Sequence, residues 1–230
     1  MRLLAVLFDV DFTIVRPGPE LGPDGYQRLG RRFGLDLDPS RYDEAREAAV
    51  RALRRHPELD HDEEVWVAFT EQIIRGMGGD ADSAYDCAVE MTKAWEHAQH
   101  FELYEDALPV LEELRRHGLK LGLVSNTGRD LDAFVSHHAL DVDAAIASGK
   151  HGKTKPHESI FRAVLELLSV NPVDAAMVGD SIEDDIEGAR ALGMQAFLLD
   201  RRDQHPEFEP RLPDLLALPA ALGLSPSQQA

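Results

Sequence analysis

Short, continuous runs of hydrophobic residues recur along the chain and are separated by amphipathic segments. The first run covers residues 3–8 and is followed by carboxylates. This pattern is typical of a central parallel strand whose carboxyl end opens into a site. Later runs lie at residues 119–124, 144–147, 175–179 and 195–199. Segments with helical periodicity lie at residues 106–117, 130–138, 157–168 and 183–192, and a short helix is expected near 214–221. This succession of strands and helices predicts an α/β fold with a doubly wound parallel sheet.

A different pattern separates the first predicted strand from the others. From about residue 26 to residue 100, hydrophobic residues recur at helical spacing, and no run has the pattern of a strand. We expect three or four antiparallel helices there, after a loop or hinge at residues 16–25 that is rich in Pro and Gly. The sequence therefore predicts an α/β core domain of residues 1–15 and 105–230 and a helical domain of residues 16–104.

The net charge of the chain limits the classes of binding partner that we expect. Asp and Glu number 42 against 24 Lys and Arg, which gives a formal net charge of −18 over 230 residues. This charge repels nucleic acid and acidic membrane surfaces, so we expect neither as a partner. A small anionic substrate would need a local cationic pocket. The hydrophobic run at the N-terminus stops at Asp9 and is too short to span a membrane.

Cysteine usage bears on the cellular compartment. Cys87 is the single cysteine of the sequence, which excludes an intramolecular disulfide and makes a reducing cytoplasm the expected location. Its helix-like surroundings favour a structural role for the thiol. We expect the protein to be a monomer or a homodimer.

Paired carboxylates follow the first predicted strand. Asp9 and Asp11 lie two residues apart, so in an extended chain they emerge on the same side of the strand end. Ligands of an open parallel sheet bind beyond the carboxyl ends of its strands, which is where this pair is expected. Two such carboxylates can divide the roles of nucleophile and acid/base.

Three further polar segments carry candidate chemistry. Ser125 and Asn126 end a strand and offer a hydroxyl and backbone N–H groups to an anion. Lys155 precedes a helix and can hold a phosphoryl oxygen as a point charge. Asp180 and Asp185 follow another strand and add carboxylate oxygens of the kind that suits Mg²⁺. Each segment alone is more typical of a turn or a helix cap, so the specific signal is their joint appearance in this order.

Together the segments DVDFT, LVSNTG, TKPHESIF and GDSIEDD closely resemble the motifs of the haloacid dehalogenase-like superfamily of hydrolases, over nearly the whole chain. The resemblance implies a phosphatase, similar to phosphoglycolate phosphatases, that acts on a small phosphorylated metabolite. It also implies that the helical domain is a cap that closes over the core and excludes water from the reacting phosphate.

The same resemblance assigns roles to individual residues. Asp9 is implied to attack phosphorus, and Asp11 to protonate the leaving group and later to activate water. The implied magnesium ion is held by the Asp9 carboxylate, the Asp11 backbone carbonyl and Asp180, with Asp185 as a supporting ligand. The residues implied to bind the phosphate are Ser125, Asn126 and Lys155.

Two residues depart from the family pattern, Phe12 and, as a minor departure, Glu158 at a position where Pro is frequent, and several alternatives stay open. Phe12 stands where the family most often has Gly, which bears on the substrate more than on the chemistry. A 2-haloacid dehalogenase would lack the second carboxylate, so the presence of Asp11 favours an enzyme that acts on a phosphate ester. A phosphomutase differs only in what accepts the phosphoryl group, and a non-catalytic binding protein on the same scaffold is a third alternative.

Overall fold

The computed structural model describes residues 2–54, 56–79 and 81–225 of the chain. Contacts within the chain divide it into two compact units. One consists of Met1–Arg16 with Leu103–Ala230, and the other of Pro17–Glu102.

A six-stranded sheet forms the centre of the first unit, as far as the described residues go. The strands of the chain are β1 (Ala5–Phe8), β2 (Val15–Pro17), β3 (Phe101–Leu103), β4 (Lys120–Ser125), β5 (Ala144–Ala147), β6 (Ala175–Gly179), β7 (Gln195–Leu199) and β8 (Arg211–Leu212). The sheet has the spatial order β5-β4-β1-β6-β7-β8 and all of its strand pairs are parallel. The chain runs from β1 to one side through β4 and β5, then to the other side through β6, β7 and β8. This arrangement confirms the predicted doubly wound sheet, with its topological switch point at β1.

The central strand β1 is hydrophobic throughout because helices cover both faces of a doubly wound parallel sheet. All four of its residues are fully buried. Phe8 lies beside Leu123 of β4 on one side and Val178 of β6 on the other. The residues that follow these three strands are therefore neighbours at one edge of the sheet.

Helices cover the sheet of the first unit. They are α5 (Ala107–Arg116), α6 (Leu131–His137), α7 (Ser148–His151), α8 (Glu158–Leu168), α9 (Gly188–Ala191) and α10 (Leu218–Ala221). The buried face of α8 carries Ile160, Phe161 and Val164, at the spacing that places side chains on one side of a helix. A Cβ on Gly122 would lie 2.7 Å from Leu7 and 3.0 Å from Val164, so glycine at this strand position lets helix and sheet approach closely.

The second unit is helical, as predicted. Its described residues form four α-helices: α1 (Pro23–Arg32), α2 (Tyr42–Ala52), α3 (Glu63–Gly76) and α4 (Ala81–Ala94). α3 packs against both α2 and α4, and a Cβ on Gly76 would lie only 2.5 Å from that of Ala45. Cys87 lies on α4 as a buried free thiol, and burial raises its pKa to about 11, which suits a structural residue.

Three details differ from the expectations. The loop predicted for residues 16–25 is wrong at both ends, because β2 includes Arg16 and Pro17 and α1 already begins at Pro23. Proline is favoured in the first turn of a helix, where its missing N–H costs nothing. The segment 183–192, predicted as one helix, is a π-helical turn at Ile182–Glu187 followed by the short α9. The short strands β2 and β3, which pair with each other, were not predicted.

Within the described part of the chain, every helix is too short or too polar to cross a lipid bilayer.

Candidate active site

The loop after β1 begins with Asp9, whose backbone remains part of the sheet. The N–H of Asp9 donates to the carbonyl of Val178 at 2.9 Å, and the Asp9 side chain is nearly buried. The chain then turns, and the N–H of Ile14 donates to the carbonyl of Val10 at 2.9 Å. Both Val10 and Ile14 are fully buried, so the turn is anchored in the core and the position of the Asp9 carboxylate is fixed.

A buried lysine joins two of the predicted carboxylates. Lys155 Nζ donates to Asp9 Oδ1 at 2.6 Å and to Asp185 Oδ1 at 2.7 Å. Burial alone would lower the pKa of Lys155, but the charges of Asp185 and Asp9 outweigh burial and raise that pKa above its ordinary value. Lys155 is therefore a fixed cation beside the Asp9 carboxylate, where it can neutralise the charge of an approaching anion.

Three carboxylates form an acidic group beside this lysine. Oxygen atoms of Asp9, Asp180 and Asp185 lie within 4.8 Å of one another. Burial raises the pKa of Asp185 to about 7, against the opposing charge of Lys155 and with the added repulsion of Asp9. Burial and then the charges of Asp9 and Asp185 raise the pKa of Asp180 well above its usual range, although part of its side chain is open to solvent. A divalent cation with a preference for oxygen ligands would relieve this repulsion, so the donor set fits Mg²⁺.

The π-helical turn at Ile182–Glu187 brings Asp185 back to the end of β6. Asp185 Oδ2 accepts a hydrogen bond from the N–H of Ser181 at 3.1 Å. A Cβ on Gly179 would overlap the Asp185 carboxylate, so glycine is the residue that permits this close approach. π-Helical turns occur frequently at functional sites, and here the turn aims a carboxylate at Lys155.

The end of β4 contributes Ser125 and Asn126. Ser125 is buried and lies on the strand next to β1, at the same edge of the sheet as Asp9. Asn126 holds the backbone of Lys155 through two hydrogen bonds: its Oδ1 accepts from the Lys155 N–H at 2.6 Å, and its Nδ2 donates to the Lys155 carbonyl at 3.0 Å. The Asn126 side chain thus fixes the position of Lys155, whereas its contact with a phosphate stays a prediction.

The second carboxylate of the first motif faces a residue that sequence reasoning missed. Arg129 Nη2 lies 3.0 Å from Asp11 Oδ1 and 3.3 Å from Asp11 Oδ2. Burial raises the pKa of Asp11, and the neighbouring Arg129 partly offsets that rise. The available signal for Arg129 was its place four residues after Ser125, just beyond a strand end, where side chains are expected to face the site.

Phe12 adopts a left-handed backbone conformation, with a φ of 64°. This conformation costs a residue with a Cβ about 1–2 kcal/mol, and glycine avoids the cost. We therefore expect Phe12→Gly to be more stable than Phe12→Ala by about 0.5–1 kcal/mol, because both variants lose the ring but only alanine keeps the strain. Chemical denaturation of the two variants measures the difference in the free energy of unfolding.

The matched control is the same pair of substitutions at Phe33, whose φ is −100°. There alanine is expected to be the more stable replacement, because glycine loses more backbone entropy on folding. An alanine variant at position 12 that is as stable as the glycine variant would contradict the assignment of strain to Phe12.

Comparisons with known proteins agree on one family. The model of the haloacid dehalogenase-like hydrolases matches residues 3–193 of the chain. The chain is 31% identical to a phosphoserine phosphatase of Thermus thermophilus, over 92% of this chain and 94% of that protein. It is 28% identical to a glyceraldehyde 3-phosphate phosphatase of Methanopyrus kandleri, over 91% of this chain and 89% of that protein. Among solved structures, the HAD phosphatase from Thermococcus onnurineus is similar with a TM-score of 0.65 and 30% identity, over 96% of this chain and 98% of that one.

Proposed function

The chain belongs to the haloacid dehalogenase-like hydrolase family, and from this premise we propose that it is a magnesium-dependent phosphatase that uses Asp9 as its nucleophile. The phosphatase-named relatives support the reaction class. The observation that carries the proposal is the buried ammonium group of Lys155, 2.6 Å from Asp9, beside an acidic group suited to a divalent cation.

The first step transfers the phosphoryl group to the protein. An Asp9 carboxylate oxygen attacks phosphorus, the bond between phosphorus and the ester oxygen breaks, and Asp11 gives its proton to the departing alkoxide. Lys155 offsets the negative charge that would otherwise keep the Asp9 carboxylate and the phosphate apart. Ser125 is proposed to donate a hydrogen bond to a phosphoryl oxygen. The products of this step are an alcohol and a phospho-aspartate.

The second step returns the enzyme to its starting state. Asp11, now ionised, takes a proton from a water molecule, whose oxygen attacks phosphorus and releases inorganic phosphate from Asp9. The raised pKa of Asp11 suits a group that must hold a proton in one step and accept one in the next.

The proposed magnesium site uses the three carboxylates of the acidic group and the Asp11 backbone carbonyl. When bound, Mg²⁺ supplies positive charge that stabilises the transferring phosphoryl group. Asp9 thus has two proposed functions, as a metal ligand and as the nucleophile, while Asp180 and Asp185 act as ligands only.

The substrate is proposed to be a small phosphate monoester. The relatives act, by their names, on different small phosphate esters, so phosphoglycolate, sugar phosphates and nucleoside monophosphates all stay candidates. We propose that the helical unit Pro17–Glu102 is the cap domain that selects among them, as its place in the sequence implies. We also propose a cytoplasmic location, because a chain with a single cysteine suits a reducing compartment.

The site favours the phosphatase over two of the three alternatives, and the phosphomutase shares its first step. A 2-haloacid dehalogenase does not need Asp11 or a metal, whereas this chain has Asp11 and an acidic group around Asp9. A phosphomutase would use the same first step and pass the phosphoryl group to a second hydroxyl. A binding protein without activity would not need the buried ion pairs of Lys155, which keep two carboxylates inside the protein.

A screen of phosphate esters with and without Mg²⁺ tests the proposal. We expect release of inorganic phosphate from p-nitrophenyl phosphate and from at least one metabolite, and loss of that release when EDTA removes the metal. Hydrolysis that continues unchanged in EDTA would contradict the metal requirement. Absence of hydrolysis for every ester would favour the binding protein.

The raised pKa values of Asp180 and Asp185 give a pH dependence of metal binding. The pKa of Asp185 is raised from its ordinary value of 3.8 to about 7 in the folded protein. Between these two pH values, Asp185 is therefore protonated in the folded state and ionised in the unfolded state. Stability without metal should therefore fall as the pH rises from about 4 to about 7. Mg²⁺ at about 100 times its Kd should raise Tm by about 5–10 °C at pH 8, and by clearly less near pH 5.

Differential scanning fluorimetry in EDTA and in MgCl₂ measures this shift at each pH. The control is Asp180→Asn, which removes one proposed ligand and should reduce the shift at pH 8. A shift of the same size at both pH values would contradict the account of the acidic group.

A further inference from the structure

Arg129 is a buried arginine outside the motif residues that were predicted to act. Its side chain is only 1% exposed, and it has the largest side chain among the fully buried residues. A guanidinium stays charged at every relevant pH, so burial without a carboxylate partner would be costly. The partner of Arg129 therefore indicates what the residue does.

One partner of Arg129 is the carboxylate of Asp11, which lies 118 positions earlier in the sequence. One nitrogen of the guanidinium, Nη2, contacts both carboxylate oxygens, at 3.0 and 3.3 Å. The Asp11 carboxylate does not belong to the group formed by Asp9, Asp180 and Asp185, as far as the described residues show. Among the described residues, Arg129 is thus the group that hydrogen-bonds to this carboxylate.

Arg129 is itself fixed by its surroundings. Its backbone N–H donates to Thr127 Oγ1 at 3.1 Å, and the carbonyl of Thr127 accepts from the N–H of Gly149 at 3.0 Å. The guanidinium carbon lies 5.2 Å from the centre of the Phe134 ring, in the range of a cation–π contact. The backbone of Arg129 is therefore held by a hydrogen bond, and its guanidinium contacts the Phe134 ring as well as the Asp11 carboxylate, which suits a group that positions another residue.

We propose that Arg129 is a positioning residue that aims the Asp11 carboxylate for proton transfer to and from the reacting oxygen. The proposal rests on the proposed function. A proton donor must lie within hydrogen-bonding distance of the leaving oxygen, and a displacement of about 1 Å can cost about 10²-fold in rate. The segment 125–129 would then have three functions. Ser125 contacts the phosphate, Asn126 holds Lys155, and Arg129 positions Asp11.

A leaving-group series separates this role from a structural one. The constant kcat/KM reports on the steps up to release of the first product, so it contains proton donation by Asp11 but not the later attack of water. For phenyl phosphate, whose leaving group needs the proton, Arg129→Met should lower kcat/KM by about 10²-fold. For 2,4-dinitrophenyl phosphate, whose leaving group is stable as an anion, the loss should be below about 10-fold. Asp11→Asn should show the same dependence on the leaving group.

The matched control is Arg201→Met. Arg201 also forms an arginine–carboxylate pair, with Asp106 at 2.8 and 2.9 Å, but that pair does not include Asp11. Its substitution should lower kcat/KM by a similar factor for every ester in the series. Arg129→Lys, which keeps the charge without the planar guanidinium, should recover part of the activity on phenyl phosphate and serves if the methionine variant does not fold.

The possible outcomes distinguish the positioning role of Arg129 from the proposed phosphatase function. An active wild-type protein whose Arg129 variants lose the same factor with every leaving group, or lose nothing, would overturn the positioning role and leave the proposed function intact. A wild-type protein that hydrolyses none of the esters would overturn the proposed function, and the role of Arg129 would fall with it.

Discussion

Asp9→Asn is expected to lower turnover of any phosphate ester by about 10⁴-fold or more, because an amide does not act as the nucleophile toward phosphorus. The fold should persist, since the amide oxygen can still accept the hydrogen bond that Lys155 now donates to Asp9 Oδ1. Removal of one charge from the acidic group should also relieve repulsion with Asp180 and Asp185. Steady-state release of phosphate and the free energy of unfolding measure the two effects separately.

Asp132→Asn is a suitable control for this substitution, because Asp132 is an exposed carboxylate paired with Lys150. It should leave turnover within about twofold and stability within about 0.5 kcal/mol. An Asp9→Asn protein with turnover close to that of the Asp132 control would overturn the assignment of the nucleophile.

Lys155→Met is expected to affect both stability and activity. It leaves the carboxylates of Asp9 and Asp185 buried and facing each other without the cation that now contacts both, at 2.6 and 2.7 Å. Removal of one partner from a buried ion pair costs about 3–5 kcal/mol, and loss of the charge that offsets the phosphate should lower kcat by about 10²–10³-fold. Denaturation curves in EDTA and phosphate release in Mg²⁺ check the two expectations.

A second substitution separates the two effects of Lys155. Lys155→Met combined with Asp185→Asn removes one of the two facing charges, so it should recover much of the lost stability but none of the activity. Lys150→Met, at an exposed lysine, is the control and should change stability by less than about 0.5 kcal/mol. Recovery of activity in the double variant would contradict the catalytic role of Lys155.

Much of the core fold follows from hydrophobic pattern alone. The runs at 144–147, 175–179 and 195–199 coincide with β5, β6 and β7, because buried parallel strands need continuous hydrophobic residues and end where polar loops begin. The position of the candidate site followed from the same rule, since carboxyl ends of neighbouring parallel strands meet at one edge of the sheet. This rule placed Asp9 and Asp180 near each other although 171 positions separate them.

Other features depended on contacts that local pattern does not encode. The π-helical turn at Ile182–Glu187 has the hydrophobic spacing of an ordinary helix, and its shape is tied to the approach of Asp185 to Gly179. β2 and β3 are three residues each, too short for a period-2 pattern, and they form by pairing with each other.

The contacts and conformations of individual residues in the site could not be predicted from the sequence either. The Asn126 amide resembled a phosphate ligand in the motif, and only the structure places it on the backbone of Lys155. Arg129 has no spacing that links it to Asp11, because the contact joins loops after two different strands. Phe12 departed visibly from the motif, but its left-handed backbone became apparent only in the structure.

The phospho-aspartate on Asp9 is the central claim, and chemical trapping tests it most directly. Borohydride added during turnover reduces an acyl phosphate to an alcohol, so the aspartate that carried the phosphoryl group becomes homoserine, which peptide mass spectrometry can locate. We expect homoserine at position 9 in the presence of substrate and Mg²⁺, and unmodified Asp9 when either is omitted. Conversion of a different residue, or an active enzyme whose Asp9 is never converted, would contradict the account.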